Sequence, residues 1–106
     1  RNLPAVAARC PALALVLFEA AIFVRDENAL MFTQQAFNAL VGPEEPLRID
    51  GHIGPVTIAA LEQVAPERLE RVAVAVRALV TAWLLELVRQ DRGADVAELE
   101  AWIDCA

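Results

Sequence analysis

Apolar residues recur along this chain at the three- and four-residue spacing of amphipathic helices, and no segment alternates strictly between apolar and polar residues as a half-buried strand does. Gly, Pro and clusters of polar residues divide this pattern into five segments. The predicted helices span residues 11–24, 27–41, 55–64, 67–91 and 95–104. The sequence therefore predicts an all-α fold of about five helices in a compact orthogonal bundle, and its 106 residues fit a single domain over 1–106.

The ends of the predicted helices carry residues that favour helix boundaries. Pro11, Pro55 and Pro66 each open a segment, and proline is well tolerated in a first turn because its missing amide hydrogen has no helical partner there. Asp26 is the expected N-cap of the second helix, since its carboxylate can accept from the free amides. Gly93 is expected to end the long helix.

The first predicted helix is apolar nearly all round, which predicts that it is the most buried element. Its apolar run at 12–24 is shorter than the roughly 20 residues of a membrane span, so no span is expected. Glu19 interrupts the run. We expect it to pair with an arginine or to cap a neighbouring backbone group, although a buried carboxyl with a raised pKa would suit a general acid.

The long predicted helix at 67–91 carries two apolar stripes. The main stripe includes Trp83, which is expected in the core. A second stripe follows Val74, Ala78 and Leu85. Either other helices cover both sides of this element, or the second stripe contacts another copy of the chain or a protein partner.

Charge and cysteine content exclude several classes of function. The formal net charge is −6 and the arginines form no cluster of four or more, which argues against nucleic-acid binding. His52 is the single histidine, so neither a metal site nor another cofactor is expected. Cys10 and Cys105 stand near the two ends, and either a disulfide or two thiols would fit their positions.

The segment at 49–57, Ile-Asp-Gly-His-Ile-Gly-Pro-Val-Thr, reads as a tight connection into the third helix. Asp50 can bond the amides of its own turn, and Gly51 tolerates the positive φ of a sharp reversal. Gly54 and Pro55 then set the start of the helix. The simplest interpretation is a well-formed loop that leads into a helix.

This segment also resembles the Val/Ile-Asp-Gly-x-x-Gly-Pro-x-Thr block of bacterial peptidoglycan-binding domains, in which a glutamine on the preceding helix comes before the block, as Gln35 does here. Three other segments resemble phage-type lysozymes of the glycoside hydrolase 108 family. They are similar to that family's Leu-Phe-Asp-Ala-Ala, Leu-Gln-x-x-Leu-Asn and Gly-Trp-Leu-Asn, and they read here Leu17-Phe18-Glu19-Ala20-Ala21, Gln35-Ala36-Phe37-Asn38 and Ala101-Trp102-Ile103-Asp104.

The resemblance implies a helical, non-catalytic module that binds peptidoglycan, in the periplasm, at the bacterial cell envelope or in a phage product. The residues that it nominates for ligand binding are Gln35, Asp50, Gly51, His52, Gly54, Thr57 and Trp102. Each also has a structural interpretation: Gln35 bracing the loop, His52 as an ordinary loop residue, and Trp102 packing in the core.

The family's catalytic glutamate lies in a Glu-Gly-Gly segment, which this sequence does not contain, so no catalytic residue is carried over. The family's Asn after its Leu-Phe-Asp-Ala-Ala segment falls near the apolar Phe23, and its final Asn-Arg pair is Asp104-Cys105 here, so several polar groups that could face a substrate are replaced. Two alternatives therefore stay open: a structural or protein-interaction module that has lost sugar binding, and a fragment of an active muramidase whose catalytic half is elsewhere.

Overall fold

The structure, a computed structural model, describes residues 3–43, 46–91 and 96–104. The all-α prediction is confirmed, because these residues form a compact bundle of helices and contain no strand. The six helices that they form are α1 (Leu3–Arg9), α2 (Pro11–Val24), α3 (Asp26–Val41), α4 (Pro55–Glu62), α5 (Pro66–Arg89) and α6 (Val96–Asp104).

Five of these helices correspond to predicted ones, and α1 is additional. It was missed because Pro11 marks a helix start, yet here a helix also ends just before it, at Arg9. Asp26 is not an N-cap as expected. It lies in the first turn of α3, because a single residue, Arg25, separates α2 from α3 and occupies the capping position. Gly93 lies outside the described residues.

The central element is α5, which packs against α2, α3 and α6. The side chains that it buries recur every three or four residues and form one continuous stripe. They are Leu69, Val72, Ala73, Val76, Val80 and Leu84. The short helix α1 packs against α2 and α4, and Arg9 secures α4 by donating from Nη2 to the carbonyl of Val64 at 2.7 Å.

The expectation that the first predicted helix is the most buried element is confirmed in part: six of the fourteen residues of α2 are buried, a larger share than in α3, α4, α5 or α6, but the burial does not extend all round. One side of α2 packs in the core, but Leu15, Phe18 and Ile22, spaced three and four residues apart, are exposed. Among the described helices, α2 packs against α1, α3 and α5, and none of them covers this exposed side. Trp83 is also not a core residue: it is 39% exposed and meets Phe32 edge to face at the margin of the bundle.

An ion pair and an aromatic side chain tie α2, α5 and α6 together. Of the two structural roles expected for Glu19, the arginine pair is the one observed, since Arg77 Nη2 donates to Glu19 Oε1 at 2.7 Å. The Arg77 guanidinium lies 4.8 Å from the centre of the Trp102 ring, and Trp102 Nε1 donates to Thr81 Oγ1 at 2.9 Å. Trp102 is fully buried and meets Phe23 edge to face, so it is a core residue.

Cys10 is buried between α1 and α2. Its proposed partner Cys105 lies outside the described residues. No helix in the described part of the chain is both long enough and apolar enough to cross a bilayer.

Candidate functional site

The segment at 46–54 connects α3 to α4 and is anchored to α3 by two side chains one helical turn apart. The first is Asn38, whose amide pairs with the backbone of Leu47 in both directions. Asn38 Nδ2 donates to the Leu47 carbonyl at 2.9 Å, and the Leu47 amide donates to Asn38 Oδ1 at 2.7 Å. With the Leu47 side chain buried beneath it, this end of the loop has a fixed position.

The second anchor is Gln34, whose side chain is 2% exposed and uses both ends of its amide. Gln34 Oε1 accepts from the backbone amides of Asp50 and Gly51, each at 3.0 Å. Gln34 Nε2 donates to Asp50 Oδ1 at 3.1 Å and to the carbonyl of His52 at 3.0 Å. One buried amide therefore fixes three consecutive loop residues.

The bracing role that the sequence suggested for Gln35 belongs to Gln34, while Gln35 is exposed. Neighbouring residues on a helix point about 100° apart, so Gln34 and Gln35 cannot both face the loop. The signal was present in the sequence, because Gln34 and Asn38 share a helical face with buried residues such as Phe37.

Asp50 and Gly51 shape the tip of the loop. Asp50 Oδ1 accepts from the amide of His52 at 3.0 Å; this bond, and after it the bond from Gln34, lower the pKa of the Asp50 carboxyl below its usual value. Gly51 has a φ of 75°, and a Cβ there would lie 3.1 Å from the carbonyl oxygen of Glu27. Glycine is required because the loop lies directly against the first turn of α3.

The remaining residues that the resemblance nominated lie in three places: the loop, α4 and the core. Gly54 is the residue before α4 and His52 is exposed beside it in the loop, whereas Thr57 lies half-buried within α4. The structure thus brings Asp50, Gly51 and His52 together with Gln34. Trp102 is in the core among α2, α5 and α6, away from this loop.

An open groove of about 890 Å³ runs between the loop, α2 and the start of α3. Its apolar wall is formed by α2, where Phe18 is 59% and Ile22 is 69% exposed. The loop at 51–53 contributes another part of the lining. The complete lining is Leu17, Phe18, Ala21, Ile22, Arg25, Asp26, Glu27, Ala29, Leu30, Gly51, His52 and Ile53.

Arg25 supplies a positive charge to this groove from a strained backbone. Its φ of 79° and ψ of 152° belong to a region that almost only glycine adopts. The helices on both sides impose this conformation: the Arg25 amide donates to the Ala21 carbonyl, and the Ala29 amide donates to the Arg25 carbonyl. The sequence did not reveal it, because Arg25 reads there only as part of a polar break.

The remaining charges of the groove have structural explanations. Asp26 and Glu27 lie in the first turn of α3, where negative side chains are favoured by the free amides and the helix dipole. No three or more metal-binding side chains gather anywhere in the described residues. The groove offers an exposed aromatic ring, an apolar floor, a cation and a histidine at its rim.

Protein-family models give no match to this chain, and searches of curated proteins and of solved structures give no significant match.

Replacing Gln34 by Ala should destabilise the fold by about 2 kcal/mol, because it leaves the buried Gly51 amide and its neighbours without partners. Gln35→Ala is the matched control on the adjacent, exposed position and should change the free energy of unfolding by less than about 0.5 kcal/mol. Urea unfolding measures both. Equal effects of the two substitutions would contradict the assignment of Gln34 as the anchor.

Acid should remove the contribution of Asp50. Its pKa is lower in the folded protein than in the unfolded chain, so its stabilisation is complete above the unfolded pKa and is lost as the pH falls through the folded pKa. The difference in unfolding free energy between the wild type and Asp50→Asn should therefore be greatest near neutral pH and should shrink toward about pH 3. A difference that grows on acidification would show that the carboxylate does not stabilise the loop.

Proposed function

We propose that this domain binds peptidoglycan without cleaving it, in the groove between α2 and the loop at 51–53. One observation carries the proposal. Two of the segments that resemble wall-binding lysozyme modules, 17–21 and 49–57, lie about thirty residues apart in sequence, yet both contribute to the lining of the same groove, with Leu17, Phe18 and Ala21 from the first and Gly51, His52 and Ile53 from the second. A shared binding surface would account for this convergence.

The chemistry of the groove suits the mixed character of peptidoglycan, which carries sugar rings with apolar faces and short peptides with free carboxylates. The exposed ring of Phe18 can pack on a sugar face or on an alanine methyl group, with Ile22 extending the apolar surface. The planar guanidinium of Arg25 can bind a carboxylate with two parallel hydrogen bonds.

A net charge of −6 does not attract an anionic polymer from a distance. Recognition in this proposal depends on contacts within the groove, where the Arg25 guanidinium must meet a ligand carboxylate directly, because Asp26 and Glu27 line the same groove. Binding should therefore be of moderate affinity, and retention on the wall would gain from several copies engaging one polymer.

The positions of two acidic residues favour binding over hydrolysis. A glycosidase usually places two carboxyl groups on either side of the bond that it breaks. Asp50 accepts hydrogen bonds from Gln34 and from its own turn, and Glu19 pairs with Arg77 outside the groove lining. Both are engaged in holding structure. If the domain belongs to a longer muramidase, it would supply wall attachment while another part supplies the chemistry.

Cosedimentation with purified sacculi tests the proposal directly. The wild type should be retained, and Phe18→Ala should reduce retention several-fold because it removes the aromatic face. Leu15→Ala is its matched control: it removes a similarly exposed side chain from α2 outside the groove and should leave retention unchanged.

Arg25→Gly tests the role of the cation in a variant that should keep its fold. It removes the cation, and because glycine adopts the Arg25 backbone conformation without strain, stability should be maintained or raised. Arg48→Ala, an exposed arginine outside the groove, is the control. The proposal is wrong if the wild type is not retained above an unrelated acidic protein, or if it solubilises the sacculi. Unchanged retention of both groove variants would exclude this groove as the site.

A further inference from the structure

The face of α5 that points away from the core is a stripe of exposed residues with an apolar centre. Val74 is 71% and Leu85 is 55% exposed, and Ala78 and Ala82 between them are exposed as well. Exposed charged residues extend the stripe at both ends. In chain order it consists of Glu67, Arg71, Val74, Ala78, Ala82, Leu85 and Arg89.

These seven positions, which we call the α5 outer stripe, are symmetric about Ala78. Val74 and Ala82 lie four residues to either side, Arg71 and Leu85 lie seven residues away, and Glu67 and Arg89 lie eleven residues away. Steps of three and four residues keep all seven on one helical face. The stripe therefore matches a second copy of itself when the two helices run in opposite directions with Ala78 at the centre.

The charges agree with this antiparallel register. Glu67, in the first turn of α5, would fall opposite Arg89 of the second copy, which lies in the last turn and also pairs with Glu86 of its own chain. Arg71 would lie opposite Leu85 of the second copy, with its methylenes over Leu85 and its guanidinium close to the same Glu86. A parallel register would instead place Glu67 against Glu67 and Arg71 against Arg71, which like-charge repulsion disfavours.

The centre of the stripe permits close approach. Ala78 and Ala82 have small side chains, so two α5 helices can come near enough for Val74 of one copy to contact Ala82 and Leu85 of the other. Two-fold symmetry then forms every contact twice, which is the usual arrangement in a homodimer.

We propose that the α5 outer stripe pairs two copies of this chain in an antiparallel, two-fold symmetric dimer centred on Ala78. A single pair of helices, each about 36 Å long, buries an area at the lower end of stable interfaces, so the dimer is weak and forms as concentration rises. No residue of the stripe lines the groove, so both grooves remain uncovered.

Sedimentation equilibrium over a wide concentration range tests the association. The mean mass should rise from the 11.5 kDa of the monomer toward twice that value. Leu85→Glu should raise the dissociation constant at least about tenfold, because it places a charge in the apolar centre. Ala78→Arg should do the same at the symmetry axis, whereas Ala39→Arg on an exposed position of α3 should have no effect.

The charge pairs allow a rescue experiment. Glu67→Arg and Arg89→Glu should each weaken the dimer, because each alone sets two like charges against one another across the interface. The double substitution should restore association, because it exchanges the two charges and opposite charges face each other again. Failure of the double substitution to recover association would contradict this register.

Cross-linking distinguishes the orientations. In a Cys105→Ser background, Ala78→Cys should oxidise to a covalent dimer, since its two copies meet at the axis. Leu85→Cys should not, because its two copies are separated by fourteen residues, or about 21 Å along the helices. A chain that stays monomeric at every concentration overturns the proposal, as does a dimer that Leu85→Cys cross-links and Ala78→Cys does not.

Discussion

The buried amide of Gln34 is the interaction on which the candidate site depends. A carboxamide has one acceptor and one donor group, and here both are directed at the loop at 50–52. Unpaired backbone groups inside a protein are costly, so this side chain lets a loop without regular secondary structure pack directly on α3. The Gly51 backbone can then lie against the start of α3 and close one side of the groove.

The limited number of helices is the second constraint on this molecule. A domain of 106 residues has few helices to bury the sides of each other, and α5 packs against α2, α3 and α6 on one side. Within the described residues, the outward sides of α2 and α5 have no helical neighbour although both carry large apolar side chains, with Phe18 and Ile22 on one and Val74 and Leu85 on the other. Apolar surface of this kind often marks interaction sites. The peptidoglycan proposal concerns the first surface and the dimer concerns the second.

Local signals in the sequence were sufficient for five of the six helices that the described residues form and for one long-range contact. The ends of α2 were predicted correctly because Pro11 and the polar break at 25–28 are strong boundaries, and the pairing of Glu19 with an arginine followed from the cost of an unpaired buried carboxylate. Contacts between helices were harder to predict from the sequence. A helix that is apolar all round is buried only if other elements cover it, and within the described residues none covers the outer side of α2.

Two features of the site, the anchor residue Gln34 and the strained residue Arg25, were not predicted because they too depend on how the helices are arranged. Gln34 and Gln35 are chemically identical neighbours, and the sequence separates them only through the orientation of α3, which places Gln34 on the face of the buried Phe37. The strained conformation of Arg25 arises because α2 and α3 meet with a single residue between them, which no local preference of arginine would indicate.

The central claim is that the segments at 17–21 and 51–53 form one peptidoglycan-binding surface. The most direct measurement is an NMR titration of the isotope-labelled chain with a soluble muropeptide that contains sugar and stem peptide. The account predicts saturable shifts at the amides of Phe18, Ile22, Arg25, Gly51 and His52, with little change along α5. An absence of shifts at millimolar muropeptide, or shifts confined to residues outside the groove, would contradict it.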